Sequence, residues 1–284
     1  MQDWLAVHEP GIRLSTFLSV LIAMMIWEVA SPRRQPSQSR DGRWTANLLM
    51  VAINTGVLRV VFPILAVGTA EVASAQNWGL LHAWALPPWI SVPIAVLALD
   101  CLIYGQHVLF HSVSPLWRLH MMHHSDLDFD TTTGVRFHPI EIVISMGIKM
   151  IAVLVLGLPP EAVILFEVLL NGTSLFNHGN VRLPDGVDRV LRLFVVTPDM
   201  HRVHHSIYKA ETNSNFGFNF PWWDRLFGTY RAQPATGHTE MTIGLEQFRE
   251  PSRLSVYRLL LMPFIDQTGG YPIARKVQDP DPSE

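Results

Sequence analysis

Residues 101–125 read CLIYGQHVLFHSVSPLWRLHMMHHS. The apolar first half of this stretch ends in the pair His107 and His111, and the group HMMHH begins at His120. Positions i, i+3 and i+4 lie on one face of an α-helix, so each group presents several imidazoles together. We therefore expect an apolar helix that ends in histidine side chains, followed by a second helix that adds further histidines.

The same spacing returns later in the chain, where HRVHH begins at His201. Ten of the 13 histidines fall between His107 and His205. Neutral imidazole is a good ligand for zinc, iron, copper and nickel, and ten ring nitrogens exceed what one ion takes. The pattern therefore predicts a dinuclear metal site. Its predicted ligands are His107, His111, His120, His123, His124, His138, His178, His201, His204 and His205.

Two of these ten histidines stand alone in the sequence. His178 ends an apolar run and is expected on the same side of the membrane as the clustered histidines. His138 precedes a proline at the start of a predicted helix, and a ligand role and a gating or helix-start role are equally open for it. His8, His82 and His238 have no partner at ligand spacing, so they are not predicted as ligands.

The composition indicates a membrane protein. Charged residues make up 16% of the 284 residues, against roughly 25% in soluble domains, and the mean hydropathy is +0.22. A formal charge of -3 disfavours a nucleic-acid partner. The single cysteine, Cys101, excludes an intrachain disulfide and a thiolate-rich metal site. The N-terminus has no basic region and no small-residue cleavage site, so no removable signal peptide is expected.

Apolar runs predict about four or five membrane helices. The runs cover residues 14–30, 46–70 and 89–105, followed by a hairpin of 140–158 and 161–176. Lys149 leaves open whether the hairpin helices cross completely. Four arginines lie between residues 31 and 45, and such a short basic loop indicates the cytoplasmic side. The expected fold is an all-α integral membrane bundle with a cytoplasmic, histidine-rich helical cap.

We expect one domain with three parts. Residues 1–106 form the N-terminal spans, residues 107–250 form the catalytic region that includes the hairpin 140–177, and residues 251–284 form an interfacial helix and a loose tail. Two stretches, 187–194 and 254–265, are amphipathic. Lying in the membrane interface and packing on the protein's own surface are equally compatible with that pattern.

Several polar residues are candidates for holding the histidines in place. Asp100 lies seven residues before the first histidine pair on the same helical face, where a carboxylate can accept the second ring N–H of a ligand, and Tyr104 lies nearby. Asn215 and Asp224 follow the last histidine group and either orient it or belong to a packed, turn-rich segment. Asp199 is expected to cap the helix that carries this group.

Together these motifs resemble the fatty acid hydroxylase and sterol desaturase superfamily of membrane di-iron enzymes. The resemblance covers roughly residues 95–232. The family pattern often carries a second histidine a few residues after the position of His178, where this chain has Arg182. The matching motifs are His107-x3-His111, HMMHHS from His120, RFHP from Arg136, Asn177-His178, TPDMHRVHHS from Thr197 and WDRLFGTY from Trp223.

The resemblance implies two iron ions on the cytoplasmic side, dioxygen as a co-substrate, and the hydroxylation or desaturation of a lipid. Fatty acyl, sterol, sphingoid and carotenoid substrates all remain open. It also implies a separate electron-donor protein, either a ferredoxin or a cytochrome with its reductase. Zinc is a substitute to expect in purified protein, and the oligomeric state stays open.

Two other functions compete with an oxygenase. A dinuclear zinc hydrolase of lipids usually has carboxylate ligands beside its histidines, and few acidic residues lie next to these groups. A metal transporter or another membrane metal-binding protein has ligands near the middle of the bilayer, whereas these histidines follow the predicted ends of the spans. Both alternatives are therefore weaker than the oxygenase.

Overall fold

The computed structural model describes residues 2–251 and 255–273, with side chains from residue 8 onward. Within these ranges the chain is helical and has no β-structure beyond isolated bridges. A 3-10 turn covers Thr131–Val135. The α-helices are α1 (Gln2–Ala30), α2 (Arg40–Val61), α3 (Ala66–Ala75), α4 (Leu80–Trp84), α5 (Pro88–Ser112), α6 (Ser114–His124), α7 (Pro139–Leu156), α8 (Pro160–Asn177), α9 (Asp185–Leu191), α10 (Pro198–His204), α11 (Lys209–Thr212), α12 (Trp222–Phe227), α13 (Gly237–Glu240) and α14 (Val256–Ile265).

Four helical segments among the described residues are long and apolar enough to cross a membrane. They are His8–Ala30, Arg40–Ala75, Pro88–Ser112 and Pro139–Leu156. This confirms the predicted all-α membrane bundle of four or five membrane helices.

Two of the spans differ in detail from the sequence prediction. Helix α5 does not end at residue 105 but continues to Ser112, so His107 and His111 lie on its last two turns. The predicted span 46–70 is broken between α2 and α3. Phe62 is extended there because it precedes Pro63, whose ring disfavours a helical conformation in the residue before it.

The predicted hairpin is formed by α7 and α8. Helix α7 ends at Gly157, which adopts the left-handed conformation (φ 63°) that favours glycine after a helix. Helix α8 begins with Pro160, whose missing N–H costs nothing in the first turn. Helix α8 packs against α1 and α5, and this packing brings His178, directly after α8, towards the histidines of α5.

The two amphipathic stretches behave differently. In α14, Leu259 and Met262 are buried in a core cluster with Trp117 of α6. In α9, Val187 and Val190 are exposed, as a helix in the membrane interface would leave them. Much of the tail predicted after residue 265 lies outside the described residues.

A buried ion-pair network joins the end of α6 to α2. Arg43 donates from Nε to Asp126 Oδ1 at 2.7 Å and from a guanidinium nitrogen to Asp130 Oδ2 at 2.7 Å. Burial alone would raise the pKa of Asp126, but Arg43 and Arg136 hold it well below its usual range. Buried ion pairs with Arg43 thus hold the segment after HMMHH in place.

Asp126→Ala should destabilise the protein strongly, because it leaves Arg43 and Arg136 buried without their main counter-charge. Removing one partner of a buried ion pair costs about 3–5 kcal/mol. The thermal unfolding midpoint in detergent measures the effect. Asp41→Ala, at an exposed position of α2, is the matched control and should leave the midpoint unchanged. Equal midpoints for the two variants would contradict a stabilising role for the network.

Candidate metal centre

Nine of the ten predicted ligands form two groups of buried histidines. Within each group, one nitrogen from every histidine lies within 4.8 Å of one from every other member. The first group consists of His107, His111, His120, His124 and His204, and the second consists of His123, His178, His201 and His205.

Each repeated histidine motif contributes to both groups. In HMMHH, His120 and His124 are four residues apart and join the first group, while His123 joins the second. In HRVHH the distribution is reversed: only His204 joins the first group, and the other two histidines join the second. Helices α6 and α10 therefore hold two adjacent sites at once, which explains why the same spacing occurs twice.

The hydrogen bonds of the first group show that it suits a cation. His107 donates from Nδ1 to the carbonyl oxygen of Phe216 at 2.8 Å, and His204 donates from Nδ1 to that of Ser214 at 2.7 Å. A carbonyl oxygen only accepts, so each Nε2 carries a lone pair. These two Nε2 atoms are 3.0 Å apart. Two lone pairs at this distance repel each other unless both bind a positive ion.

The same arrangement extends to other members of the first group. His120 donates from Nδ1 to the Glu141 carboxylate at 2.7 Å, and its Nε2 lies 3.1 Å from Nε2 of His107. His111 shares a 3.1 Å hydrogen bond between Nδ1 and Asn213 Oδ1, and its buried Nε2 has no hydrogen-bond partner. Ring N–H bonds of this kind orient the ligands of known metal sites.

The second group follows the same rule. His178 donates from Nδ1 to the carbonyl oxygen of Ser174 at 2.8 Å. Its Nε2 faces Nε2 of His201 at 3.1 Å and Nε2 of His123 at 3.2 Å. Converging ring nitrogens with no competing donor fit a metal ion, and an all-nitrogen set suits iron, zinc, copper or nickel. Buried ring nitrogens without a hydrogen-bond partner also occur on His123, His124, His201 and His205.

The electrostatics keep these imidazoles in the form that binds metals. Burial lowers the pKa of His178 to about 3. Burial and the neighbouring imidazoles also lower the pKa of five other histidines well below its ordinary value; these are His123, His124, His201, His204 and His205. Neutral imidazoles are therefore present at neutral pH, as coordination requires.

His138 is the one predicted ligand that the structure does not bring to either group. Its Nδ1 accepts a hydrogen bond from the backbone N–H of Ile140 at 3.2 Å, and its Nε2 donates to the carbonyl oxygen of Leu260 at 3.1 Å. Both nitrogens are thus used at the start of α7, where His138 is the N-cap residue. Arg182, which stands where the family pattern often has a further histidine, is exposed and belongs to neither group. The second group therefore consists of four histidines.

Asp100 and Asp224 both form hydrogen bonds with residues 216–223, near the first histidine group. Asp100 accepts a 2.8 Å hydrogen bond from Trp223 Nε1 and does not bond to a ligand histidine. Asp224 accepts from the backbone N–H of Phe216 at 2.8 Å. Because the Phe216 carbonyl oxygen accepts from His107, both carboxylates fix the loop that orients this imidazole.

Among the described residues, the side chains of Asn215 and Tyr104 make no hydrogen bond to a histidine. Asn215, in the left-handed conformation at φ 52°, donates to the carbonyl oxygen of Met200 at 2.9 Å and so ties the loop to α10. The Tyr104 hydroxyl lies 2.9 Å from Thr229 Oγ1. Asn215 therefore links its loop to α10, whereas Tyr104 contacts the loop after α12.

The predicted capping role of Asp199 is wrong. Asp199 is the second residue of α10, and its carboxylate pairs with Arg202 and with Arg33, 3.1 Å away. The position before the helix is occupied by Thr197, which makes no side-chain cap. Two nearby guanidinium groups therefore bind the carboxylate more strongly than the helix N-terminus can.

Sequence reasoning missed Glu141. It lies in the first turn of α7 and accepts from His120. A carboxylate at the start of a membrane helix needs a partner, and this need was the available signal.

A cavity of about 590 Å³ lies between the first histidine group and the membrane helices. His107 and His120 are among the residues that line it. The cavity is bounded mainly by apolar side chains of α1, α2, α5, α7 and α8 and of the loops near the histidines, among them Phe110, Phe137, Met146 and Phe218. An apolar molecule can therefore reach the histidines from within the membrane domain.

A helical membrane bundle with two adjacent groups of buried histidines defines a membrane metalloprotein. Residues 92–229 match the family model described as fatty acid hydroxylase, and the chain belongs to the fatty acid hydroxylase superfamily. This confirms the resemblance and the predicted enzyme class, an oxidoreductase. No solved structure matches the chain.

The relatives of the chain are named as lipid hydroxylases or monooxygenases. It is 27% identical to the ornithine lipid hydroxylase OlsE of Rhizobium tropici over 80% of this chain and 69% of that protein. It is 26% identical to the alkylglycerol monooxygenase of Homo sapiens over 86% of this chain, which spans about half (52%) of that protein. Rat (Rattus norvegicus) cholesterol 25-hydroxylase is 25% identical over 50% of the chain and 47% of its own length.

His178→Ala should lower the metal content of the purified protein, because it leaves the second group with three histidines. Elemental analysis of detergent-purified protein, expressed with added iron, gives the metal per chain. His138→Ala is the control, since both groups keep all their members. If His138→Ala loses as much metal as His178→Ala, the two-group assignment is wrong.

Glu141→Ala should weaken metal binding by about 10–100-fold, the usual effect of removing the group that orients a ligand histidine. Glu141→Gln keeps an oxygen that accepts from His120 and should restore most of the affinity. Competition with a chelator measures both variants. Loss of metal from the Gln variant equal to that from the Ala variant would show that accepting this hydrogen bond is not the role of Glu141.

Proposed function

We propose that this protein is a dioxygen-dependent di-iron enzyme that hydroxylates a membrane lipid. The observation that carries the proposal is the position of the first histidine group, whose members His107 and His120 line a mainly apolar cavity. A lipid chain that enters from the membrane meets the metal site directly.

Two irons, when bound, supply the activation of dioxygen that oxidation of an unactivated C–H bond requires. The nine histidines of the two groups would hold them. The chain's own contribution is to fix these side chains: the Phe216 and Ser214 carbonyl oxygens set the ring orientation of His107 and His204. Aromatic rings such as Phe137 line the cavity and keep water away from the substrate carbon.

Hydroxylation is favoured over desaturation by unpartnered acceptors in the cavity wall. Buried oxygen atoms without a hydrogen-bond donor belong to Asn54, Gln106 and Glu141, all of which line the cavity. A hydroxyl group formed on the substrate can donate to such an acceptor, whereas a new C=C bond cannot. The names of the relatives, which are hydroxylases and monooxygenases, favour the same reaction.

The substrate we propose is an acyl or isoprenoid lipid, the kind of molecule that fits a mainly apolar cavity between membrane helices. The basic loop between residues 31 and 45 favours a cytoplasmic active site. Electrons would then come from a cytoplasmic donor protein, a ferredoxin or a cytochrome with its reductase.

The two competing functions have less support. Neither histidine group includes a carboxylate among the described residues, unlike the usual dinuclear hydrolase site. The groups also lie on α6 and α10 and at the ends of α5 and α8 rather than in the middle of the spans, where a transporter binds its ion.

Turnover should require dioxygen and should place one oxygen atom from isotope-labelled dioxygen in the lipid product. His123→Ala should abolish this labelling, because it removes a member of the second group. His238→Ala, outside both groups, should retain it. Mass spectrometry of lipids from membranes supplied with a reductant and a donor protein gives the readout. Label from water instead of dioxygen, or full activity of His123→Ala, would refute the proposal.

A further inference from the structure

The cavity is not apolar throughout, because five charged side chains line it away from the histidines. They are Glu9, Arg13, Arg59, Lys149 and Glu167. Lys149 and Glu167 are only 7% and 2% exposed. Ionisable groups inside membrane spans are costly and usually mark a functional site. This charged cluster takes no part in holding the histidines.

One cation of the charged cluster has no carboxylate partner among the described residues. Glu167 accepts from Lys149 at 2.8 Å and forms an ion pair with Arg13 at 2.8 Å. Arg13 also pairs with Glu9. Arg59 has no hydrogen bond or ion pair with any described residue, although it lines the same cavity. The charged cluster therefore contains three cations and only two carboxylates.

A purely structural role would need only part of this cluster. The pair of Lys149 and Glu167 already links α7 to α8, and each member neutralises the other. Arg59 adds nothing to that link, since it forms no ion pair with Glu9 or Glu167. An unpaired guanidinium on a cavity wall is instead suited to a carboxylate or a phosphate, which it binds through two parallel N–H donors.

The distance between the charged cluster and the histidines matches a lipid chain. Lys149 lies eight residues beyond Glu141 on α7, which is about 12 Å at 1.5 Å per residue. A lipid chain in one leaflet occupies about half of the roughly 30 Å hydrocarbon core. A chain that starts at the cluster therefore reaches the end of the cavity where Glu141 and His120 lie.

We infer that the charged cluster binds the anionic group of the lipid substrate, so that a carbon of the chain, and not the polar group, lies beside His107 and His120. The ligand class is a lipid with one apolar chain or more and a carboxylate or phosphate. The inference rests on the proposed function only for the oxidation of the lipid chain. The binding of the anionic group can be measured without turnover.

The test is a binding titration of the metal-loaded protein in detergent under nitrogen, which prevents oxidation. The probes are a fatty acid, a phosphatidic acid and a fatty alcohol of equal chain length. At least one anionic probe should bind roughly tenfold tighter than the alcohol, as expected for a charge-assisted contact. The anionic probe that binds more tightly shows whether the cluster prefers a carboxylate or a phosphate.

Arg59→Gln should abolish the preference for the anionic probe and leave the affinity for the alcohol unchanged. Arg59 has no ion pair to lose, so folding should be spared. Arg189→Gln makes the same charge change at an exposed position of α9 and should keep the preference. Equal affinity of the wild type for charged and uncharged probes, or a preference that survives Arg59→Gln, would overturn the inference.

The outcome separates this inference from the proposed function. Charge preference that depends on Arg59, in a protein that incorporates no oxygen from dioxygen, would support the binding site and refute the hydroxylase. Oxygen incorporation into lipids without any charge preference would support the hydroxylase and refute the binding site.

Discussion

The structure depends on one electrostatic constraint: neutral imidazoles whose Nε2 lone pairs face each other at about 3 Å are stable together only around cations. His107 and His204 show it most clearly, because backbone carbonyl oxygens fix the proton of each ring on Nδ1. Burial prevents protonation from relieving the repulsion in the HRVHH motif, where the pKa of His204 lies well below its ordinary value. Metal binding and the folded arrangement of the histidines are therefore linked.

Much of the remaining structure holds this arrangement in place. Helices α6 and α10 each contribute to both histidine groups, so a shift of either helix would disturb two sites at once. The Arg43–Asp126 pair anchors the segment after α6, and Asp100 and Asp224 anchor the loop that bonds to His107. These carboxylates serve the site through backbone positions, without touching a ligand nitrogen.

The sequence was sufficient for the features that depend on local spacing. Helical periodicity brings His120, His123 and His124 to one end of a helix, and the apolar runs predict the membrane helices. It was insufficient where a side chain has several partners in reach. His138 is drawn into backbone hydrogen bonds at the start of α7, and Glu141 becomes the partner of His120 because tertiary packing, not spacing, brings α7 beside α6.

The iron content of the gently purified, full-length protein, expressed with added iron, tests most directly whether the two histidine groups form a dinuclear centre. Two groups of five and four histidines predict about two irons per chain in folded protein that incorporates oxygen from dioxygen. Folded protein that retains this activity with one metal ion per chain, or with none, would contradict the dinuclear centre.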